Sequence, residues 1–246
     1  MLLILPSLVP RPRFLMPVYR LSNELIFPDP KRATREGLLA VGGDLTPERL
    51  VLSYQLGIFP WYGEDEPVLW WSPDPRCVLI PRHVYISRRL ERVIRQGHFQ
   101  LTCNRAFSRV IAACADVRVK AGEETWLIKD MQAAYQRLHK LGFAHSIEAW
   151  CDDELVGGLY GVALGKFFFG ESMFHTQTNA SKVVLAQLAG YLAREGFVLL
   201  DCQVPNPHLF SMGACQISRA DFLECLVKGG LGPEGVAEKV VLPEFL

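Results

Sequence analysis

The stretch 145-HSIEAWCDDELVGGLYGVALGKFFFGESMFH-175 divides into three apolar runs, HSIEAWC, ELVGGLYGVAL and FFFG, parted by the Asp152-Asp153 pair and by Gly165-Lys166. Closely spaced runs joined by short polar turns predict an antiparallel meander. On its C-terminal side the pattern predicts a helix over about 180–195 ending at Gly196 and a strand VLLDCQ at 198–203. A last helix is opened there by the Ser218-x-x-Asp221 capping box. On its N-terminal side stand three helices: one capped by Ser87, one near 105–115, and one from about Ile128 to Leu141 closed by Gly142. No internal repeat or low-complexity linker interrupts this order.

Upstream of about Pro81 the chain is rich in Pro, Trp and turn signals: FPDP (27–30), VGGDL (41–45), GIFPW (57–61) and WWSPDPR (70–76). One helix stands out there, with Thr46 as N-cap and Pro47 at the first helical position. The expected fold class is therefore α+β. A small irregular N-terminal α/β lobe over residues 1–81 precedes a domain over 82–246 with a mainly antiparallel sheet crossed by helices. By analogy at the level of fold, N-acyltransferases use such an arrangement.

Half of the 246 residues are hydrophobic, enough for a well-filled core, and 26 basic residues balance 26 acidic ones. No global field attracts nucleic acid or a membrane, so any polyanion must be met by a local patch. Arg88, Arg92 and Arg95 on the Ser87-capped helix are such a candidate patch, or else an ordinary solvated helix face. The opening MLLILPSLVPRPR reads as an extension, lacking the features of a secretory leader, and no segment is long and apolar enough to span a bilayer. Seven cysteines form no C-x-x-C pair, which fits free thiols in the cytoplasm better than disulfides or zinc, and no structural metal is expected.

In VLLDCQ the two-residue period puts Leu199, Asp201 and Gln203 on one face and Leu200 and Cys202 on the other. A carboxylate late in an apolar strand is costly unless it is hydrogen-bonded or faces a cleft. Glu171 raises the same issue in FFFGESMFH, where Gly170 leaves room for a bulge or for close approach of a ligand. If the two strands are neighbours, Glu171, Asp201 and Gln203 converge beside an apolar pocket suited to amines. The alternatives are a surface ion pair for Glu171 and a strand-end Asp201 satisfied by backbone amides. Trp61 and Trp126, with Tyr62, Trp70 and Trp71, sit near turns, where they either stack on bases or plug a lobe interface. The histidines lack ligand spacing, and no G-x-S-x-G elbow, dinucleotide fingerprint or phosphate-binding loop is present, which disfavours hydrolytic triads and nucleotide cofactors.

Taken in order, GLLAVGGDLTPERL, GIFPWY, LWWSPDPR, TWLIKDMQAAYQRLHKLGFAHSIEAW, ELVGGLYGVALGKFFFGESMF, ASK, LLDCQ and HLFSMGA resemble the bacterial leucyl/phenylalanyl-tRNA–protein transferases over about Phe27 to Phe222. The resemblance implies a GNAT-like C-terminal domain, no CoA or other cofactor, and a cytoplasmic protein; a monomer is expected. It implies transfer of Leu or Phe, with Met as a further donor, from aminoacyl-tRNA to proteins beginning with Arg or Lys, tagging them for degradation. Carried over residue by residue, the family's functional positions fall on Trp61, Trp126, Tyr135, Phe168, Glu171, Asp201 and Gln203. His175, where the family commonly has Ser, and Leu159, where some members have Met, depart from the pattern.

In these terms Phe168 would bind the donor side chain and Glu171 its α-ammonium, while Asp201 polarises Gln203 to accept a hydrogen bond from the incoming amine. The final proton acceptor stays open between Asp201, water and the ribose hydroxyl, and Asp201 could instead read the acceptor's cationic side chain. Trp61, Trp126 and Tyr135 would pack around the terminal adenosine or the substrates, and Arg88, Arg92 and Arg95 would follow acceptor-stem phosphates. Two rival classes are a CoA-dependent N-acyltransferase, which needs a Gly-rich turn opening a helix, and a non-catalytic RNA- or sugar-binding module using the tryptophans.

Overall fold

The meander forms as its turns dictate. In the computed structural model, which describes residues 18–120, 122 and 125–245, Asp152 and Asp153 both adopt left-handed backbone, with φ of 50° and 63°. Such a pair matches the right-handed twist of the strands it joins. The N-terminal MLLILPSLVPRPR lies outside the described residues.

In chain order the first lobe holds β1 (Tyr19–Leu21), β2 (Leu38–Gly42), α1 (Pro47–Gln55), β3 (Phe59–Pro60) and β4 (Leu69–Trp71). Its strands form a four-stranded sheet in the order β1-β2-β4-β3. Next come β5 (Arg76–Leu79), α2 (Arg88–Arg95), β6 (Gln100–Cys103), α3 (Phe107–Lys120), α4 (Lys129–Lys140), β7 (Ala144–Cys151), β8 (Glu154–Leu164) and β9 (Phe167–His175). The chain then runs through α5 (Ala180–Arg194), β10 (Leu199–Gln203), α6 (Pro207–Phe210), β11 (Cys215–Ile217) and α7 (Arg219–Lys228). The second sheet is seven-stranded, ordered β11-β5-β10-β9-β8-β7-β6.

Both sheets are rich in antiparallel pairs, and the chain is a mixed α and β protein. The exception that matters is β9–β10, which is parallel because α5 crosses over between them. β5 lies before residue 81 yet pairs with β10 and β11, so the second sheet recruits a strand from the Pro-rich segment. The lobe itself is less irregular than its turn signals suggest. Its strands are two to five residues long, too short for a two-residue period to show in the sequence.

Two cores lie on the two faces of the large sheet. One joins α3, α4, Tyr160, Phe167 and Phe169 to Leu38, Trp70 and Tyr54 of the first lobe. The other packs Phe168, Leu200 and Cys202 under α5, with Leu90 of α2. Each fully buried Phe ring contributes about 1.5–3 kcal/mol of burial free energy, so the FFF run alone anchors the sheet from both sides. The glycines of GGLYG serve close packing: a Cβ at Gly157 would come within 2.7 Å of Ala180 Cβ, blocking the seat of α5. Among the described residues no helix is long and apolar enough to cross a membrane.

Candidate active site

The site begins with a miscount between strands. Tyr160 pairs with Ser172 and Gly161 with Gly170, so Glu171 is an extra residue on β9, a bulge of the kind that Gly170 allows. The bulge resets the alternation. Phe167 and Phe169 face the first core, Phe168 and Met173 the second, and Phe174 the first again. Ser172 shares the face of its partner Tyr160. Glu171 and Ser172 are therefore consecutive residues of one strand that look the same way, and both are buried.

Five residues from four elements close around this bulge. Tyr135, on α4, donates its hydroxyl to Glu171 Oε2 at 2.7 Å. Tyr54, on α1, lies 2.6 Å from the Tyr135 hydroxyl, and because the single Tyr135 proton goes to Glu171, Tyr54 is the donor of that pair. From β10, Gln203 Nε2 donates to Glu171 Oε1 at 2.7 Å. Its backbone N–H donates to Asp201 Oδ1 at 2.9 Å. Gln203 does this from a left-handed conformation, φ 61°, at a second irregularity where β10 slips against β5. Asp201 in turn accepts two bonds from Arg76 on β5, Nε to Oδ1 at 2.8 Å and Nη2 to Oδ2 at 2.6 Å.

A continuous hydrogen-bonded chain thus runs Tyr54, Tyr135, Glu171, Gln203, Asp201, Arg76. It ends on the carbonyl of Gly57, which accepts from Arg76 Nη1 at 3.3 Å. The Arg76 guanidinium is also packed between the rings of Phe59 and Phe222, 4.8 and 4.5 Å from their centres. A bidentate guanidinium pair is the arrangement best able to hold a carboxylate out of water. Burial, reinforced by the charge of Asp201, pushes the Glu171 carboxyl up to about 7, against the pull of the two tyrosine hydroxyls and of Arg76. Burial first, and then the Glu171 charge, raises the Tyr54 and Tyr135 hydroxyls well above the ordinary phenol value.

The sequence-derived candidates other than Phe168 fall into three groups. Glu171, Asp201, Gln203 and Tyr135 meet directly, on the parallel pair that brings β9 beside β10. Trp126 joins them at one remove, edge-on to the Tyr135 ring at 6.5 Å, and Trp61 is half-buried against Trp71 at 5.6 Å. Arg88, Arg92 and Arg95 are exposed on α2, whose Leu90 belongs to the core on the opposite face of the sheet.

Phe168 requires a correction to the expectation that it shares one pocket with Glu171. It is wholly buried in the core under α5, on the other face, and the phenylalanine on the face of Glu171 is Phe169, tilted against Tyr54 at 5.1 Å. His175 stands at the far end of β9, its Nδ1 3.2 Å from Ser181 Oγ at the start of α5. Sequence reasoning missed Arg76, Tyr54 and Ser172. The one available signal was a cation opening the apolar run RCVLI. Ser172 Oγ is buried and has no hydrogen-bond partner among the described residues, the condition expected of a group that a ligand satisfies.

Comparison with known proteins matches the chain to a family. The family model described as leucyl/phenylalanyl-tRNA protein transferase matches residues 78–227, and that of the N-terminal domain of the same family matches 43–74. The leucyl/phenylalanyl-tRNA–protein transferase of Syntrophotalea carbinolica is 53% identical over 93% of this chain and 99% of its own. That of Syntrophobacter fumaroxidans is 58% identical over 87% of this chain and 91% of its own. Among solved structures, an aminoglycoside acetyltransferase from a soil metagenome, in complex with sisomicin, overlaps 61% of this chain and 97% of its own at 14% identity. Its TM-score is 0.37, a level at which no fold assignment follows. Because a single family model covers more than half of the residues and relatives align at over half identity along nearly their whole length, the chain belongs to the leucyl/phenylalanyl-tRNA–protein transferase family.

Proposed function

We propose that this protein moves Leu or Phe, and with looser fit Met, from aminoacyl-tRNA to the N-terminal Arg or Lys of acceptor proteins, marking them for degradation. The observation that carries the reading is the buried Glu171 carboxylate, held by Tyr135 and Gln203 beside apolar Phe169. That is a place for an ammonium attached to an apolar side chain. Each carboxylate oxygen already accepts one bond and has a second lone pair to offer. A donor ammonium would complete the site and draw Glu171 into its charged form.

The donor ester is already activated, so the protein's task is to position an amine against its carbonyl. The neutral acceptor α-amine adds to the ester carbon, the bond from that carbon to the ribose oxygen breaks, and the proton lost by the nitrogen ends on that oxygen, so the tRNA leaves with a free hydroxyl. Because a carboxylate only accepts, the Gln203 atom that meets ionised Glu171 is the NH2, and the Gln203 carbonyl is left for the incoming amine. Asp201, with both oxygens engaged by Arg76 and one by the Gln203 N–H, acts as a positioning residue in this scheme. Phe169 rather than Phe168 forms the apolar wall, Ser172 offers its hydroxyl to substrate, and Trp126 and Trp61 pack around the terminal adenosine.

The same reading treats the meander with β10 as a GNAT-like catalytic domain behind a small N-terminal domain, with the boundary at about 75 rather than 81, since β5 pairs within the large sheet. It assigns Arg88, Arg92 and Arg95 to tRNA phosphates and a cytoplasmic monomer that uses no cofactor. The test is transfer of labelled Leu from Leu-tRNA to a peptide beginning with Arg. The reading requires label in the Arg peptide and little in one beginning with Glu; absence of transfer across a range of salt would refute it.

A further inference from the structure

On the β6 edge of the large sheet stands a second built site. Trp150, next to last in β7, is fixed from behind: its Nε1–H donates to Thr102 Oγ1 at 2.8 Å, and Thr102 donates to Glu148 Oε2 at 2.6 Å. Glu148 is fully buried, and its other oxygen accepts from Ser146 and, at 3.3 Å, from the backbone N–H of Ala106. One buried carboxylate therefore locks both the tryptophan and the turn that leads into α3. From that turn and the first turn of the helix, Arg105 and Arg109 place their guanidinium carbons 5.2 and 5.1 Å from the Trp150 ring centre.

Both arginines are exposed, and among the described residues neither has a carboxylate within ion-pair distance. They line a cavity of about 650 Å³ together with Trp150, His139 and Asp153. Two guanidinium groups gathered on one ring repel each other until an anion comes between them. Contact with the ring also restricts both side chains in advance, so less side-chain entropy is lost when they grip a phosphate.

The place of this site in the fold points to its partner. β6 is the edge strand, and Gln100 on it pairs with Trp150. Ile147, Ala149 and Cys151 face the core under α2 and α5, so Trp150 faces the other side of the sheet. The end of α2 is tied to the same corner by His98 Nε2, 3.4 Å from Cys151 Sγ. The arginine face of α2 and the Arg105/Arg109 pair thus flank one edge strand from its two sides. In a protein with no net charge, such a band is where a polyanion can be held.

We propose that Arg105 and Arg109, ordered on Trp150, bind phosphates of the acceptor-stem backbone of the donor tRNA, extending the α2 arginines around the β6 edge. The proposal rests on the aminoacyl-tRNA reading above. It is tested with the full chain carrying Arg105→Ala and Arg109→Ala together, beside an Arg105→Lys/Arg109→Lys variant, on two donors: Leu-tRNA and a leucyl ester of adenosine that has no stem.

With the alanine pair, KM for Leu-tRNA is expected to rise about tenfold at unchanged kcat, and the log–log salt dependence of tRNA binding to become shallower by about two. The lysine pair keeps the salt slope, and KM values for the stemless donor and the Arg peptide stay unchanged. An unchanged KM for Leu-tRNA would overturn the proposal. So would an equal loss on both donors, or a rise confined to the acceptor peptide, which would mark an acidic-peptide surface. If the unsubstituted protein transferred nothing from either donor, the reading of function would fail instead, and the salt slope for uncharged tRNA would still decide this site.

Discussion

Arg76 holds both carboxylate oxygens of Asp201, at 2.8 and 2.6 Å, with neither residue reached by solvent. The pair joins β5, drawn from the Pro-rich segment, to β10, and it stops the hydrogen-bonded chain from Tyr54 at a fixed point. Removing one partner of such a pair leaves an unpaired buried charge, which costs about 3–5 kcal/mol. Arg76→Met is therefore expected to lower stability by that order in denaturant unfolding, and Arg76→Met with Asp201→Leu to recover much of it. Activity does not recover in the double variant, because without Asp201 the Gln203 backbone N–H loses its acceptor.

Glu171 makes stability depend on pH in an unusual direction. Its folded pKa, about 7, lies above the ordinary 4.5, so between these values the native state binds the extra proton. Stability is then lost as pH rises through that window, by on the order of 3 kcal/mol if the shift is fully expressed. Thermal melts should show Glu171→Gln stabilising the chain near pH 8 relative to its effect near pH 5. Equal effects at both pH values would mean that Glu171 is ionised throughout.

Tyr135 links the carboxylate to the first lobe. Tyr135→Phe removes the donor to Glu171 and leaves the Tyr54 hydroxyl without its acceptor, a loss of about 1–3 kcal/mol. A fall in kcat/KM of about tenfold or more is expected, with a smaller one for Tyr54→Phe, measured at saturating acceptor peptide.

The two neighbouring phenylalanines should separate cleanly. Phe168→Ala creates a cavity under α5 and costs about 3–5 kcal/mol of stability without changing the preference between Leu and Phe donors. Phe169→Leu costs less and shifts that preference, as the ratio of kcat/KM for the two donors would show.

The meander, its turns and the helix caps at Ser87 and Ser218 were legible because each is written in local spacing or in a single cap residue, whereas the convergence of Glu171 with Gln203 was readable only on the condition that their strands are neighbours. Gly170 left room for a bulge or for a ligand, and the bulge that formed hid the face of Phe168, since an inserted residue resets the period from which faces are read. Arg76 was illegible for another reason. Its partner lies 125 residues away, and nothing local distinguishes an arginine bound for a buried carboxylate from one that opens a strand into solvent. Tyr54 reads as core in α1, and only the packing of α1 on α4 turns its hydroxyl toward Tyr135.

The central claim is that Glu171 binds the α-ammonium of the donor, and a donor without that ammonium tests it most directly. Transfer kinetics would be compared for Leu-tRNA and for tRNA carrying the matching 2-hydroxy acid, with the unsubstituted chain and with Glu171→Gln. Loss of the ammonium should raise KM by about tenfold or more in the unsubstituted chain and change it little in Glu171→Gln, a coupling between the two deletions. An equal rise in both proteins would contradict the account and place the ammonium elsewhere.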